Sequence, residues 1–192
     1  STVYLAEPTE VFYSTTLSNY NSYEVSCNGY NDGSIEFTST IGGSGPYEYS
    51  TDGGGTFDLT TLFSNLTSGT YNVQVKDVTG CIDSSVITLD EPGIFSVPYV
   101  VSNAIDCPGD CNGAISINPS NGVGQEVYNI DSGAQQTTPY FSGLCGDITN
   151  GSYILNAVDD NGCAAIATIT LGEPTEFIYT TSSNLEYCDQ SN

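Results

Sequence analysis

Internal repetition constrains this chain more than any other feature. Three segments end alike: Val3-Tyr4-Leu5-Ala6-Glu7-Pro8, Ile87-Thr88-Leu89-Asp90-Glu91-Pro92 and Ile169-Thr170-Leu171-Gly172-Glu173-Pro174. The prolines stand 84 and then 82 positions apart. The cysteines keep the same beat: Cys27, Cys107 and Cys188 step by 80 and 81, and Cys81 to Cys163 is 82. Gly69-Thr70-Tyr71 returns as Gly151-Ser152-Tyr153. Self-similarity at a fixed period marks one structural module copied in tandem. The sequence therefore reads as the end of a preceding repeat (1–8), a first complete repeat (9–92), a second (93–174) and the start of the next (175–192).

Within each repeat apolar residues recur at every second position, the period of a half-buried strand. Ile35 and Phe37 alternate with Ser34, Glu36 and Thr38, and Tyr47 and Tyr49, then Tyr71, Val73 and Val75, repeat the pattern. The counterparts are Ile115 and Ile117, Tyr128 and Ile130, then Tyr153, Leu155 and Ala157. Asn31-Asp32-Gly33, Asp52-Gly53-Gly54 and Asp159-Asp160-Asn161-Gly162 punctuate the runs as turns. No stretch sustains a 3.6-residue period. Leu66-x-x-Gly69-x-Tyr71 and Ile148-x-x-Gly151-x-Tyr153 match the tyrosine corner of Greek-key sandwiches. The fold predicted is all-β: tandem immunoglobulin-like β-sandwich repeats of about seven short strands each. Like charge on neighbours and short Glu-Pro junctions predict an extended string with small contacts between repeats.

Charge then removes whole classes of function. Asp and Glu number 23 against one basic residue, Lys76, for a net charge of -22. Such a chain repels nucleic-acid phosphates and anionic membrane surfaces. With no His there is no imidazole base, ligand or pH switch, and without Arg no guanidinium fork. Paired carboxylates alone could hydrolyse glycosides, but that needs a deep cleft that sandwiches of this size rarely have. The carboxylates are read as solvated surface and the protein as a non-enzyme. No run reaches the roughly 20 apolar residues of a membrane span.

Seven cysteines in so acidic a chain point to disulfides and an oxidising, extracellular setting. Zinc would want close cysteine pairs or histidine, and Cys107–Cys111 has no matching second pair. Repeat arithmetic predicts Cys27 with Cys81 and Cys107 with Cys163, provided the chain reverses near Ser18–Ser22 and near Ser102–Asn103. Subtracting one repeat from the other predicts Cys111 with Cys145, since both are missing together from the first repeat. Cys111 replaces Asn31, and Cys145 lies in a segment four residues longer than Phe63–Gly69. Cys188 is expected to pair with a cysteine outside this chain.

Several landmarks together resemble the SprB repeats of gliding Bacteroidota adhesins. They are Glu-Pro-Thr-Glu at 7–10 and 173–176, Cys27-Asn-Gly-Tyr-Asn-Asp-Gly-Ser-Ile35, Pro46-Tyr-Glu-Tyr49, Leu66-x-x-Gly-x-Tyr71 and Asn161-Gly-Cys163. The resemblance covers nearly the whole chain. It implies a very large cell-surface protein, exported by the type IX system and carried along the cell in gliding or adhesion. Similar repeats occur in other secreted proteins of that phylum, including stalks of exported enzymes. A self-assembling extracellular filament subunit is the other alternative. The second repeat departs from the pattern, with Cys111-Asn112-Gly113 where the first has Asn31-Asp32-Gly33.

Calcium could use Asp32, Asp77, Asp110, Asp159 and Asp160 as hard oxygen ligands, although Asx-Gly sequences are also ordinary turns. Tyr20 and Tyr23, in a lead-in of 19 residues from Pro8 to Cys27 against 15 from Pro92 to Cys107, could stack on sugar rings. Strand tyrosines are more often core. Lys–Asn isopeptide stapling is rejected, because Lys76 is out of phase with Val73 and Val75 and the second repeat has no lysine. The sequons at Asn65 and Asn150 are read as turn chemistry. Expected partners are neighbouring repeats, other copies in a filament, or surface polysaccharide.

Overall fold

A computed structural model describes residues 9–146 and 152–175. The Glu7-Pro8 landmark, residues 147–151 with Asn150, and the 176–192 stretch with Cys188 lie outside the described residues. The chain divides into two compact units. One is Ser1–Ser96 with Ser120–Glu126 and Val158–Ala165; the other is Val97–Pro119 with Val127–Ala157 and Ile166–Asn192. Two segments of the second sequence repeat therefore belong to the first unit.

Among the described residues there are twelve strands and no helix. The first six are β1 (Phe12–Leu17), β2 (Gly33–Ile41), β3 (Glu48–Ser50), β4 (Leu62–Leu66), β5 (Gly69–Lys76) and β6 (Ile82–Leu89). They form two three-stranded antiparallel sheets, β1-β2-β4 and β3-β5-β6. The next six are β7 (Tyr99–Asn103), β8 (Gly113–Ile117), β9 (Val127–Ile130), β10 (Tyr140–Leu144), β11 (Ser152–Val158) and β12 (Ala164–Thr170). Their orders, β10-β8-β7 and β12-β11-β9, are the same orders shifted by six strands. Each set is a pair of three-stranded sheets, with six strands among the described residues where about seven are expected.

Alternation builds the core. In β2, Gly33, Ile35 and Phe37 are buried while Glu36 and Thr38 are exposed, and in β5, Val73 and Val75 are fully buried. Phe37 joins the two sheets: its ring lies 4.7 Å from Tyr49, 5.4 Å from Tyr13 and 6.0 Å from Phe63. In the second set Ile115, Ile117, Tyr128, Leu155 and Ala157 occupy the corresponding buried positions. Burying one such aliphatic or aromatic side chain contributes about 1.5–3 kcal/mol, so these few residues dominate the stability of each sandwich.

The tyrosine corners are present, and they survive an insertion. Tyr71 Oη donates to the Thr67 carbonyl four residues back, at 2.8 Å. Tyr153 Oη donates to the Cys145 carbonyl eight residues back, also at 2.8 Å, and accepts from Cys145 N. The tyrosine of the second repeat thus holds a carbonyl four positions farther back along the chain. Lys76, as its phase predicts, lies outside the core: its Nζ is 2.6 Å from Glu48 Oε2 and 4.1 Å above the Phe57 ring.

Candidate functional site: cysteine turns at opposite ends of a strand

Two kinds of turn carry the cysteines, and hydrogen bonds fix where each sits. The Cys27 turn closes with Tyr30 N donating to the Cys27 carbonyl at 3.0 Å. Glu91 grips it from the far end of β6, its carboxylate accepting from Gly29 N at 2.7 Å and Asn28 Nδ2 at 3.0 Å. Glu24 N and Val25 N both donate to the Asp90 carbonyl. The second repeat does the same: Asp110 N donates to the Cys107 carbonyl, and Glu173 accepts from Gly109 N at 3.1 Å. The repeated Glu of Glu-Pro is therefore a carboxylate cap on the first cysteine turn.

The second kind begins β6 and β12. In Asp77-Val78-Thr79-Gly80-Cys81, Asp77 Oδ1 accepts from Thr79 N at 2.9 Å and Cys81 N at 2.8 Å, while Oδ2 accepts from Ser44 N at 2.9 Å. In Asp159-Asp160-Asn161-Gly162-Cys163, Asp159 Oδ1 accepts from Asn161 N at 3.0 Å and Cys163 N at 2.8 Å, and Oδ2 from Val123 N at 2.9 Å. Both carboxylates are buried, at 2% and 6% exposure. Burial opposes ionisation of Asp77, yet the Thr79 hydroxyl and the Cys81, Ser44 and Thr79 N–H groups outweigh it and hold the carboxyl below its ordinary value.

This geometry corrects the in-phase pairing. Cys27 is held at the Asp90–Glu91 end of β6 and Cys81 precedes Ile82 at the other end. Eight strand residues at about 3.3 Å each separate the two ends by roughly 26 Å, far beyond the 7 Å limit for bridged Cα atoms. Cys163 is likewise not the partner of Cys107, because its sulfur is bonded to Cys27. Cys27 bonds instead to Cys163, with Cα atoms 5.5 Å apart. The expected chain reversal does exist: Tyr20 and Tyr23 exchange backbone hydrogen bonds around Asn21 and Ser22, both at positive φ (51° and 82°). It serves a different partner.

Within the first unit, Asn161 locks that partner in place. Its Nδ2 donates to the Tyr20 carbonyl at 3.2 Å and the Ser26 carbonyl at 3.1 Å, and its Oδ1 accepts from Asn21 Nδ2 at 2.6 Å. The four extra lead-in residues of the first repeat thus form the turn that Asn161 grips. Cys27 and Cys163 are 4% and 6% exposed, so the bond is sealed from solvent. Sequence reasoning missed Asn161; its signal was the carboxamide in Asp-x-Asn-Gly-Cys, where the first repeat has Thr79.

Cys111 bonds to Cys145, the pairing that repeat subtraction predicts. Gly113 opposes Leu144 in the β8–β10 ladder, which places the residues just outside it face to face. Cys81 carries a free thiol, half-buried beside the core, with Thr79 Oγ1 at 3.5 Å.

The aspartates considered for calcium do not converge. Asp77 and Asp159 are spent on their turns. Asp32 accepts from Ser26 N at 3.0 Å and from the Ser26 hydroxyl. Asp160 Oδ2 accepts from Gln125 N at 3.0 Å, and Asp110 lies in the Cys107 turn. Among the described residues no three His, Cys, Asp or Glu side chains gather as a metal site. The loss of Asp32 in the second repeat is a swap: Asn112 pairs with Asp106 (2.8 Å) where Asp32 pairs with Ser26. Tyr20 and Tyr23 are half-buried, and the Tyr20 hydroxyl donates to the Asp32 carbonyl at 3.1 Å, so neither ring is an open stacking platform.

No protein-family model and no curated protein matches the chain. Among solved structures it is similar to a C-terminal 282-residue fragment of intimin, crystallised with the intimin-binding domain of the translocated intimin receptor. The TM-score is 0.44 at 12% identity, over 87% of this chain and 64% of that fragment. It is also similar to the full ectodomain (Ig1–Ig3) of mouse nectin-like molecule 4. There the TM-score is 0.33 at 11% identity, over 89% of this chain and 67% of that one.

Proposed function

We propose that this chain is a segment of a large, secreted, repetitive cell-surface protein of SprB type, an extended spacer and attachment element in gliding or adhesion. The observation that supports it most is the Cys27–Cys163 bond. It ties the first sequence repeat to the second and spans 136 residues. A buried disulfide that long belongs to an oxidising compartment, and it limits how far a pulled chain can lengthen. The acidic surface keeps neighbouring copies soluble and apart. A surface depression lined by Gly53, Asn72, Gln74, Ser84, Ser85 and Val86 offers no carboxylate, thiol or amine for chemistry.

Single-molecule stretching from the two chain ends tests the spacer role. Residues 27–163 are shorted by the bond, which hides about 460 Å of contour at roughly 3.4 Å per residue. That length should appear only after a reductant is added. Full extension of the unreduced chain would contradict the proposal.

A further inference from the structure

Within the first unit, the outer face of the β3-β5-β6 sheet carries a depression of about 350 Å³. Asn72 and Gln74 of β5 line it, out of phase with the buried Val73 and Val75. The pairings Asn72↔Val86 and Gln74↔Ser84 complete a block of four side chains. Among the described residues, none hydrogen-bonds either carboxamide or the Ser84 hydroxyl. The loop after β3 forms the wall, and its own bonds fix it. Asp52 Oδ1 accepts from Thr56 N at 3.0 Å and the Ser50 hydroxyl at 2.7 Å, and Oδ2 from the Thr56 hydroxyl at 2.8 Å. Fully buried Ser50 also accepts from Gly54 N at 2.9 Å, and Gly53 N donates to the Asn72 carbonyl at 2.8 Å. Gly54 has φ 87°, and a β-carbon there would stand 2.6 Å from Gln74 Oε1, so glycine lets the loop lie against that carboxamide.

The second repeat does not keep this face. Aligned on Tyr71 with Tyr153 and on Cys81 with Cys163, Asn72 becomes Ile154, Ser84 becomes Ile166 and Ser85 becomes Ala167. Ile154 and Ile166 are 50% and 71% exposed, so the fold itself does not demand polar residues at these positions. We propose that the depression is a binding subsite for one hexose unit of an uncharged polysaccharide. Neighbouring sugar hydroxyls both donate and accept, as carboxamides and serine hydroxyls do, while the exposed Val86 side chain meets the C–H edge of the ring. The net charge of -22 repels anionic sugars. A cation meets no carboxylate in the lining, since Asp52 spends both oxygens on its own loop. A wall fixed in advance lowers the ordering cost of binding. The subsite gives the attachment role a ligand, but it does not depend on the spacer role, which chain stretching reads separately.

The test titrates the isotope-labelled whole chain with methyl glucoside, methyl galactoside and methyl mannoside, following side-chain amide signals by NMR. The expected result is that the Asn72 and Gln74 signals shift and saturate with at least one of the three sugars. Replacing Asn72→Ile and Ser84→Ile together installs the second repeat's side chains and should weaken the Gln74 response about tenfold, the worth of one hydrogen bond. Gln74→Ala, read at Asn72, should weaken binding similarly and keeps the test decisive if the double variant misfolds. No shift with any of the three sugars, undiminished binding in the folded variants, or an equal shift with glycerol or N-methylacetamide would overturn the proposal.

Discussion

Replacing Asp159 by alanine should damage the first unit more than any surface change of similar size. The carboxylate accepts three backbone N–H groups, from Asn161, Cys163 and Val123, at 2.8–3.0 Å. The Cys163 N–H is in the interior, and losing its charged acceptor costs about 2–3 kcal/mol. The other two are partly buried, and water can take over some of their bonding, so each adds about 1 kcal/mol. The sum is about 4–5 kcal/mol. Asp160→Ala is the control, since Asp160 is exposed and its carboxylate accepts from Gln125 N; it should cost under about 1 kcal/mol. Urea unfolding of the oxidised proteins, followed by tyrosine fluorescence, reads the difference, because the chain has 14 Tyr and no Trp. The fraction of Cys27–Cys163 bond formed in a glutathione buffer should fall in parallel. An Asp159→Ala protein within about 1 kcal/mol of the Asp160→Ala protein would refute the carboxylate as the organiser of the turn.

Two further outcomes follow from the same geometry. Replacing Cys111 and Cys145 together by serine opens a 34-residue loop and should destabilise the second unit by about 4 kcal/mol on the chain-entropy account, measured by thermal unfolding; an unchanged midpoint would contradict it. Asp52 is held down to about 2 by the Thr56 N–H, the Ser50 hydroxyl and the Thr56 hydroxyl. A carboxyl whose folded pKa lies below its unfolded value stabilises the fold above about pH 4 and loses that contribution as pH falls towards 2. Asp52→Asn should therefore lose less stability than the parent over that window, and parallel acid titrations of the two proteins would show the reasoning wrong.

Strands and their buried faces were legible because alternation is a local signal: Ile35 with Phe37, and Val73 with Val75, read the same in sequence and in space. The Cys111–Cys145 bond was legible because both residues depart from the other repeat together. The partner of Cys27 was not. A period fixes which cysteines are equivalent, but it cannot say whether they bond within a repeat or one repeat out of phase. That choice is made by Glu91, which pins the Cys27 turn to the end of β6 opposite Cys81, a tertiary contact spanning 62 residues to Gly29. The Asp-x-x-Gly-Cys pattern, read as open oxygen ligands at Asp77 and Asp159, is a closed turn whose oxygens already face backbone N–H groups. Recurrence of that five-residue pattern at the start of the last strand was the available clue.

Mass spectrometry of the natively oxidised chain, digested without reduction, tests the central claim most directly. The account predicts a peptide pair joining Cys27 to Cys163. A Cys27–Cys81 or Cys107–Cys163 pair would contradict it, because either takes one of those two sulfurs for another partner.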